Sequence, residues 1–301
     1  MNNALKSTLL LAALAVAATP ALARTKLVTL PDRASMVVNL DRPGQTLLYE
    51  EREIALQEGT NHVDFSWQGV NIDKNSIRLE LLSHPGDGAD ATKVIDVAFP
   101  PNEAALTWQV HTPEARTERI RVSYLLGGIS TVNTYEMTVN TEETEVLFQH
   151  YLRVQNESGE RLEDAILRIP QAEDWTRTVE SGEARRFLTF QQEGLPIDKL
   201  YISRPAPHSQ RGDDGEPIAL VYELENARDD GLGEFKLETG KTRIFAETPT
   251  GSTIFAGEDY LPETPVGEEA QLTLGTVKDV LVKRRIMEDR RTNEQYANNR
   301  K

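Results

Sequence analysis

Between Arg121 and Pro170 the apolar residues fall at every second position: Val122 and Tyr124; Tyr135, Met137 and Val139; Val146, Phe148, Leu152 and Val154; Ala165, Leu167 and Ile169. A period of two marks extended chain with one buried face, because successive side chains of a strand point to opposite sides. Gly127-Gly128, Asn140 to Glu143 and Asn156-Glu157-Ser158-Gly159 interrupt the runs. These residue types accept left-handed backbone and tight turns. The stretch predicts four antiparallel strands in a row, with the rest of the chain laid around them as further sheets.

The same period recurs on both sides. Thr46 to Leu56, the turn residues Glu58-Gly59-Thr60-Asn61, and His62 to Trp67 predict a hairpin with Val63, Phe65 and Trp67 on its buried face. Ile77, Leu79 and Leu81 predict the next strand. After a loop from Pro85 to Asp90, Ile95 and Val97 form one strand and Leu106, Trp108 and Val110 another, with Pro100-Pro101-Asn102-Glu103 between them. His111-Thr112-Pro113-Glu114 reads as a linker and sets a domain boundary. Further on, Phe187 to Phe190, Leu200 to Ser203, and Ile218, Leu220, Tyr222 and Leu224 continue the pattern around a polar loop from Arg204 to Pro217. Ile244, Ile254, Leu272 to Leu274 and Val280 to Val282 supply more short strands. Val277 to Asn299 has only a weak helical period and is taken as a strand with a ragged end. Many short strands without intervening helices define an all-β chain of tandem antiparallel, immunoglobulin-like β-sandwich domains.

The N-terminus carries Lys6, an apolar run from Leu9 to Ala18, and Thr19-Pro20-Ala21-Leu22-Ala23. A positive start, a short hydrophobic core and a small-x-small ending predict a cleaved signal peptide over residues 1–23, with Arg24 as the mature start. The expected domains are then 24–112, an N-terminal β module, and 113–301, a β-sandwich domain incomplete at its C-terminus. No later stretch approaches the roughly 20 apolar residues of a membrane span. The chain has no cysteine, so it has neither a lipid-anchoring cysteine nor a disulfide framework, and its stability rests on core burial. Export to the periplasm or the medium follows. The formal charge of −15 becomes −16 when Lys6 is removed. That surface repels nucleic acid and anionic lipid.

Residues that could carry chemistry do not converge. His62, His84, His111, His150 and His208 share no metal-ligand spacing. His150 is in phase with Val146, Phe148, Leu152 and Val154, so it points at the buried face, where a neighbour at the sheet rim is expected to satisfy it. There is no Gly-x-Ser-x-Gly and no distinctive ordering of Ser, His and Asp. Asp87-Gly88-Ala89-Asp90 and Asp213-Asp214-Gly215-Glu216 offer oxygen ligands to calcium but lack the twelve-residue loop pattern. Arg211-Gly212-Asp213 spells an adhesion tripeptide within a polar loop, and Asn156-Glu157-Ser158 is a glycosylation sequon. Lys283-Arg284-Arg285 with Arg290-Arg291 reads as a charged strand edge. The sequence assigns no catalytic, cofactor-binding or metal-binding residue.

Tyr124-Leu125-Leu126-Gly127-Gly128-Ile129, Tyr135 to Val139, and Val154-Gln155-Asn156-Glu157-Ser158-Gly159-Glu160 with Glu163-Asp164-Ala165 and Leu167 resemble domain-of-unknown-function family 4139, found in mucoidy inhibitor A-like envelope proteins. Tyr222 to Asn226, Gly231-Leu232-Gly233, Thr242 to Phe245, Val266 to Glu269 and Leu274-Gly275 resemble its second block. Leu48 to Arg52 through Glu58 to Asn61 is similar to the β module that precedes it. Thr131 stands where the family has tryptophan, Leu237-Glu238-Thr239-Gly240 lacks the family's proline, and the family's strands continue beyond Lys301. The resemblance implies a β-sandwich envelope protein without catalytic residues. Together these features lead to an exported, non-enzymatic module that binds an envelope protein through a sheet edge or loops, with no cofactor. The alternative is a carbohydrate-binding module or hydrolase with Trp67, Trp108 or Trp175 as a sugar platform.

Overall fold

The computed structural model describes residues 26–282 apart from 42, 43, 45, 85–90, 170, 171, 204–215 and 230. The expected signal segment, the acidic turns at 87–90 and 213–215, the Arg211-Gly212-Asp213 tripeptide, His208 and the basic cluster from Lys283 lie outside the described residues. The strands are β1 (Leu27–Thr29), β2 (Ser35–Asn39), β3 (Thr46–Leu56), β4 (Gly59–Ser66), β5 (Arg78–Leu81), β6 (Lys93–Ala98), β7 (Ala105–Thr112), β8 (Arg116–Leu126) and β9 (Ile129–Val139). They continue as β10 (Glu145–Asn156), β11 (Leu162–Arg168), β12 (Trp175–Val179), β13 (Ala184–Pro196), β14 (Asp198–Ser203), β15 (Glu216–Glu225), β16 (Gly240–Glu247), β17 (Thr253–Leu261) and β18 (Glu269–Val282). A single 3-10 turn at Lys74–Ser76 is the one helical element among the described residues. The protein is all-β.

Four sheets build two cores. The sheets β1-β4-β7-β6 and β12-β11-β2-β3-β8-β5 enclose the first, around Phe65, Trp108, Ile120 and Leu167. The sheets β13-β10-β9-β16-β17 and β14-β15-β18 enclose the second, around Met137, Phe148, Leu195 and Leu272. Every apolar residue picked out by its period between Val122 and Ile169 is buried. Three sheets are mixed rather than purely antiparallel, because β1 runs parallel to β4, β11 to β2, and β16 to β9.

The pairing corrects three expectations. The strands of the expected hairpin, β3 and β4, lie in different sheets, β3 against β2 and β8, and β4 against β1 and β7. The four central strands do not form one row either. Only β9 and β10 pair with each other, whereas β8 joins β3 and β5, and β11 joins β2 and β12. The boundary at 112–113 falls inside the first sandwich, since β8 follows it yet pairs with β3 from Thr46 to Leu56. A common cause underlies all three. Most turns here are arches that carry the chain across the core to the facing sheet, so that the apolar sides of consecutive strands meet face to face rather than edge to edge.

Fully buried asparagines hold the arches in shape. Asn61 donates to the Gln57 carbonyl (2.8 Å) and accepts from the Gln57 N–H (3.0 Å), closing the β3–β4 arch. Asn156 donates to the carbonyls of Glu160, Val179 and Glu180 (2.8, 3.1 and 3.2 Å) and accepts from Ser158. Asn226 does the same for Phe235 and Thr264 (both 3.0 Å) and for the Gly233 N–H. A primary amide suits this task because it donates twice and accepts at its oxygen. The Asn156 amide is thus committed inside the fold and is not a surface acceptor for a glycan.

Candidate functional site

β3 carries charge into the first core. Leu48, Glu50, Arg52, Ile54 and Leu56 share one side of the strand, and Glu50 is fully buried between its apolar neighbours. Arg52 binds Glu50 Oε1 through Nε (3.1 Å) and Nη2 (2.9 Å), and its other terminal nitrogen donates to the Pro31 carbonyl. Arg33 meets the other Glu50 oxygen as an ion pair and reaches Glu160 Oε1 at 2.6 Å. The four charges tie the segment before β2, the middle of β3 and the turn before β11 into one cluster. Burial opposes the charge on Arg33, but Glu50 and Glu160 outweigh it and hold its pKa above the ordinary guanidinium value. Burial, reinforced by Glu50, also pushes the Tyr124 phenol upward.

Two open cavities flank the cluster and share Arg33 and Arg52 as a common wall. One, of about 480 Å3, is lined also by Asp32, Ser35, Glu163 and Asp164. The other, of about 310 Å3, reaches Asp64, Phe65, Trp67, Tyr124 and Glu160. Because the guanidiniums are already paired, the arrangement works as an ionic clamp across the mouth of the sandwich. A nucleophile with its base is not assembled there. The sequence signal for the cluster was the phase that Glu50 and Arg52 share with Leu48 and Ile54.

His150 does point inward, as its phase required, and its partners are Thr189 Oγ1 at Nδ1 and Asn133 Oδ1 at Nε2 (3.1 Å). It is not at a rim. Its strand, β10, lies between β9 and β13, with Tyr135 and Phe190 packed on either side at ring separations of 4.7 and 5.2 Å. Burial lowers its pKa to about 4. His84 pairs with the buried Glu118, whose other oxygen caps the Ser83 and His84 N–H groups. Among the described residues no group of three or more His, Asp or Glu could hold a metal ion.

The opposite situation holds at β6. Among the described residues it is an edge strand, paired on one side to β7, and all six of its residues are exposed. Val94, Ile95, Val97 and the adjoining Phe99 are 39, 58, 41 and 49 % accessible. The alternation read from Ile95 and Val97 fails here because of a bulge. Val94 lies against Val110 and Asp96 against Gln109, so Ile95 is an extra residue. Asp96 Oδ1 accepts the N–H of Val97 at 2.8 Å.

Of the three tryptophans, Trp67 and Trp108 are core residues packed about Phe65 with tilted rings, at ring separations of 5.8 and 5.9 Å. Trp175, half-buried on edge strand β12, packs edge-on to Phe187 and lines a shallow cavity of about 370 Å3 with Glu173, Asp174, Arg177 and Thr189. No helix among the described residues is long and apolar enough to cross a membrane. Compared with protein-family models, with curated proteins and with solved structures, the chain matches none.

Proposed function

We propose that this is an exported, non-enzymatic β-sandwich protein that acts in the cell envelope by contact with another protein chain, docked on edge strand β6. The observation that supports this is the complete exposure of β6 together with its apolar content. Sheet edges of soluble proteins are ordinarily shortened, charged or covered, because an open row of N–H and C=O groups recruits other strands. The bulge at Ile95 is the one such device that β6 retains apart from Lys93 and Asp96. Residues 1–23 supply the address in this reading, and the net negative charge turns away nucleic acid.

The test is a photocrosslinking residue placed at Ile95 of the chain in its own envelope. One dominant adduct, lost when the probe is moved to Thr248 in the turn before β17, supports the proposal. A purified protein that turns over a substrate and loses that activity by a single substitution overturns it.

A carbohydrate-binding reading draws on Trp175 alone, since its ring borders a cavity with carboxylates and a guanidinium beside it. Titration with soluble peptidoglycan fragments, followed by tryptophan fluorescence, tests it. No change in emission removes it.

A further inference from the structure

Resting on the reading of β6 as a docking edge, we infer that its occupant is a second copy of the chain, with β6 paired antiparallel to β6 about a two-fold axis. Pairing about the strand's own centre opposes Lys93 to Ala98, Val94 to Val97, and Ile95 to Asp96. Directly opposed residues of antiparallel strands share a face of the sheet. In an uninterrupted strand these positions have opposite parity, and the inner face of one copy would continue into the outer face of the other.

The bulge removes that mismatch. Val94 and Val97 lie against Val110 and Trp108, both buried, and so face the first core. Lys93, Asp96 and Ala98 lie against His111, Gln109 and Thr107, on the outer face of β7. With Ile95 and Asp96 forming the bulge, the order of faces along β6 is the same in both directions. Such a palindrome is what an isologous contact demands, because each residue must suit its mirror position in an identical chain. Val94 then meets Val97 of the second copy on the core side, beside the exposed Phe99.

Charge agrees with this register. Lys93 of one copy stands diagonal to Asp96 of the other, within reach of a long side chain. Asp96 at present holds the Val97 N–H. Pairing transfers its carboxylate to Lys93 of the second copy and frees that N–H for the opposing Val94 carbonyl. A foreign strand would find the same open edge, but nothing on β6 selects it. Two mature chains of formal charge −16 repel one another, so the contact should tighten as salt screens them.

The absence of cysteine allows a register test. Opposed residues in a hydrogen-bonded antiparallel pair have Cα atoms about 5.5 Å apart, within disulfide range, whereas positions 94 and 97 of one extended strand are about 10 Å apart. The mature chain carrying Val94→Cys with Val97→Cys should oxidise to a covalent dimer whose cross-links join 94 to 97, and either single variant should not. Wild-type chain should dimerise in sedimentation velocity at concentrations up to about 100 µM, more tightly in high salt. Lys93→Asp should weaken the dimer severalfold, and Lys93→Asp with Asp96→Lys should restore it.

A chain that stays monomeric throughout, with no 94–97 cross-link, overturns the inference. If an Ile95 photocrosslinker in the envelope still traps a different protein, the docking edge stands and only the second copy falls. If it traps nothing, both fall.

Discussion

Glu50 and Arg52 occupy consecutive inward positions on β3, and Arg52 Nη2 stands 2.9 Å from Glu50 Oε1 inside the first sandwich. Arg33 completes the pairing from the segment before β2. Removing the carboxylate leaves two guanidiniums together in a poorly solvated site. Glu50→Ala should therefore lower the unfolding free energy by about 3–5 kcal/mol in urea titrations. Arg33→Met, Glu50→Leu, Arg52→Met and Glu160→Gln together should lose less than the single change, since no charge of the cluster is then stranded. A loss below about 1 kcal/mol for Glu50→Ala would mean that water solvates the cluster.

His150 predicts a pH dependence. It is neutral and buried in the fold with a pKa of about 4, against about 6.5 in unfolded chain. Between these values the unfolded state binds the extra proton, so stability is complete above about pH 6.5 and falls as pH drops toward 4. The loss attributable to this residue is at most about 3 kcal/mol. Difference melts of wild type and His150→Gln across this range should converge as pH falls, and parallel curves would show that His150 does not couple to folding.

Asn156 holds three carbonyls and Ser158 at the β10–β11 arch. Asn156→Ala should cost at least about 2 kcal/mol, because buried acceptors lose their donor without gaining water. Asn156→Asp should be worse, as it sets a carboxylate against those carbonyls. The chain expressed in a glycosylating host should carry no glycan at this sequon, which intact-mass measurement reads directly.

Gly159 and Gly182 share a φ of +84°, yet a side chain at Gly159 would run into the Gly69 carbonyl while one at Gly182 meets nothing within 4 Å. Gly182→Ala should show only the left-handed penalty of about 1–2 kcal/mol. Gly159→Ala should exceed it clearly, since the loop after β4 must move to make room. Equal losses in denaturant would indicate that this loop yields freely.

Strand content was legible because burial imposes a period of two on the residues themselves, and the apolar residues picked out by that period from Val122 to Ile169 are all buried. Pairing was not, because a hairpin and an arch use the same glycines and asparagines. Gly128, at φ +81°, serves a crossing between sheets although Gly-Gly is also a hairpin signal. What separates the two outcomes is which distant strand lies alongside, as Glu50 on β3 against Val122 on β8. The ionic cluster was legible in principle, through polar residues in an apolar phase. The exposure of β6 was not, since Val94, Ile95 and Val97 have the composition of a buried strand and the bulge leaves no mark in local sequence.

β9, β10 and β13 each begin in one core and end in the other. Ile129, Leu152, Val154 and Phe187 pack in the first, whereas Met137, Phe148 and Leu195 pack in the second. The β9–β10 ladder between them is unbroken from Val146 and Val139 to Asn156 and Ile129. Bending one sandwich against the other would have to shear that ladder. A load taken up by the first sandwich therefore passes to the second through continuous backbone hydrogen bonds rather than through a linker.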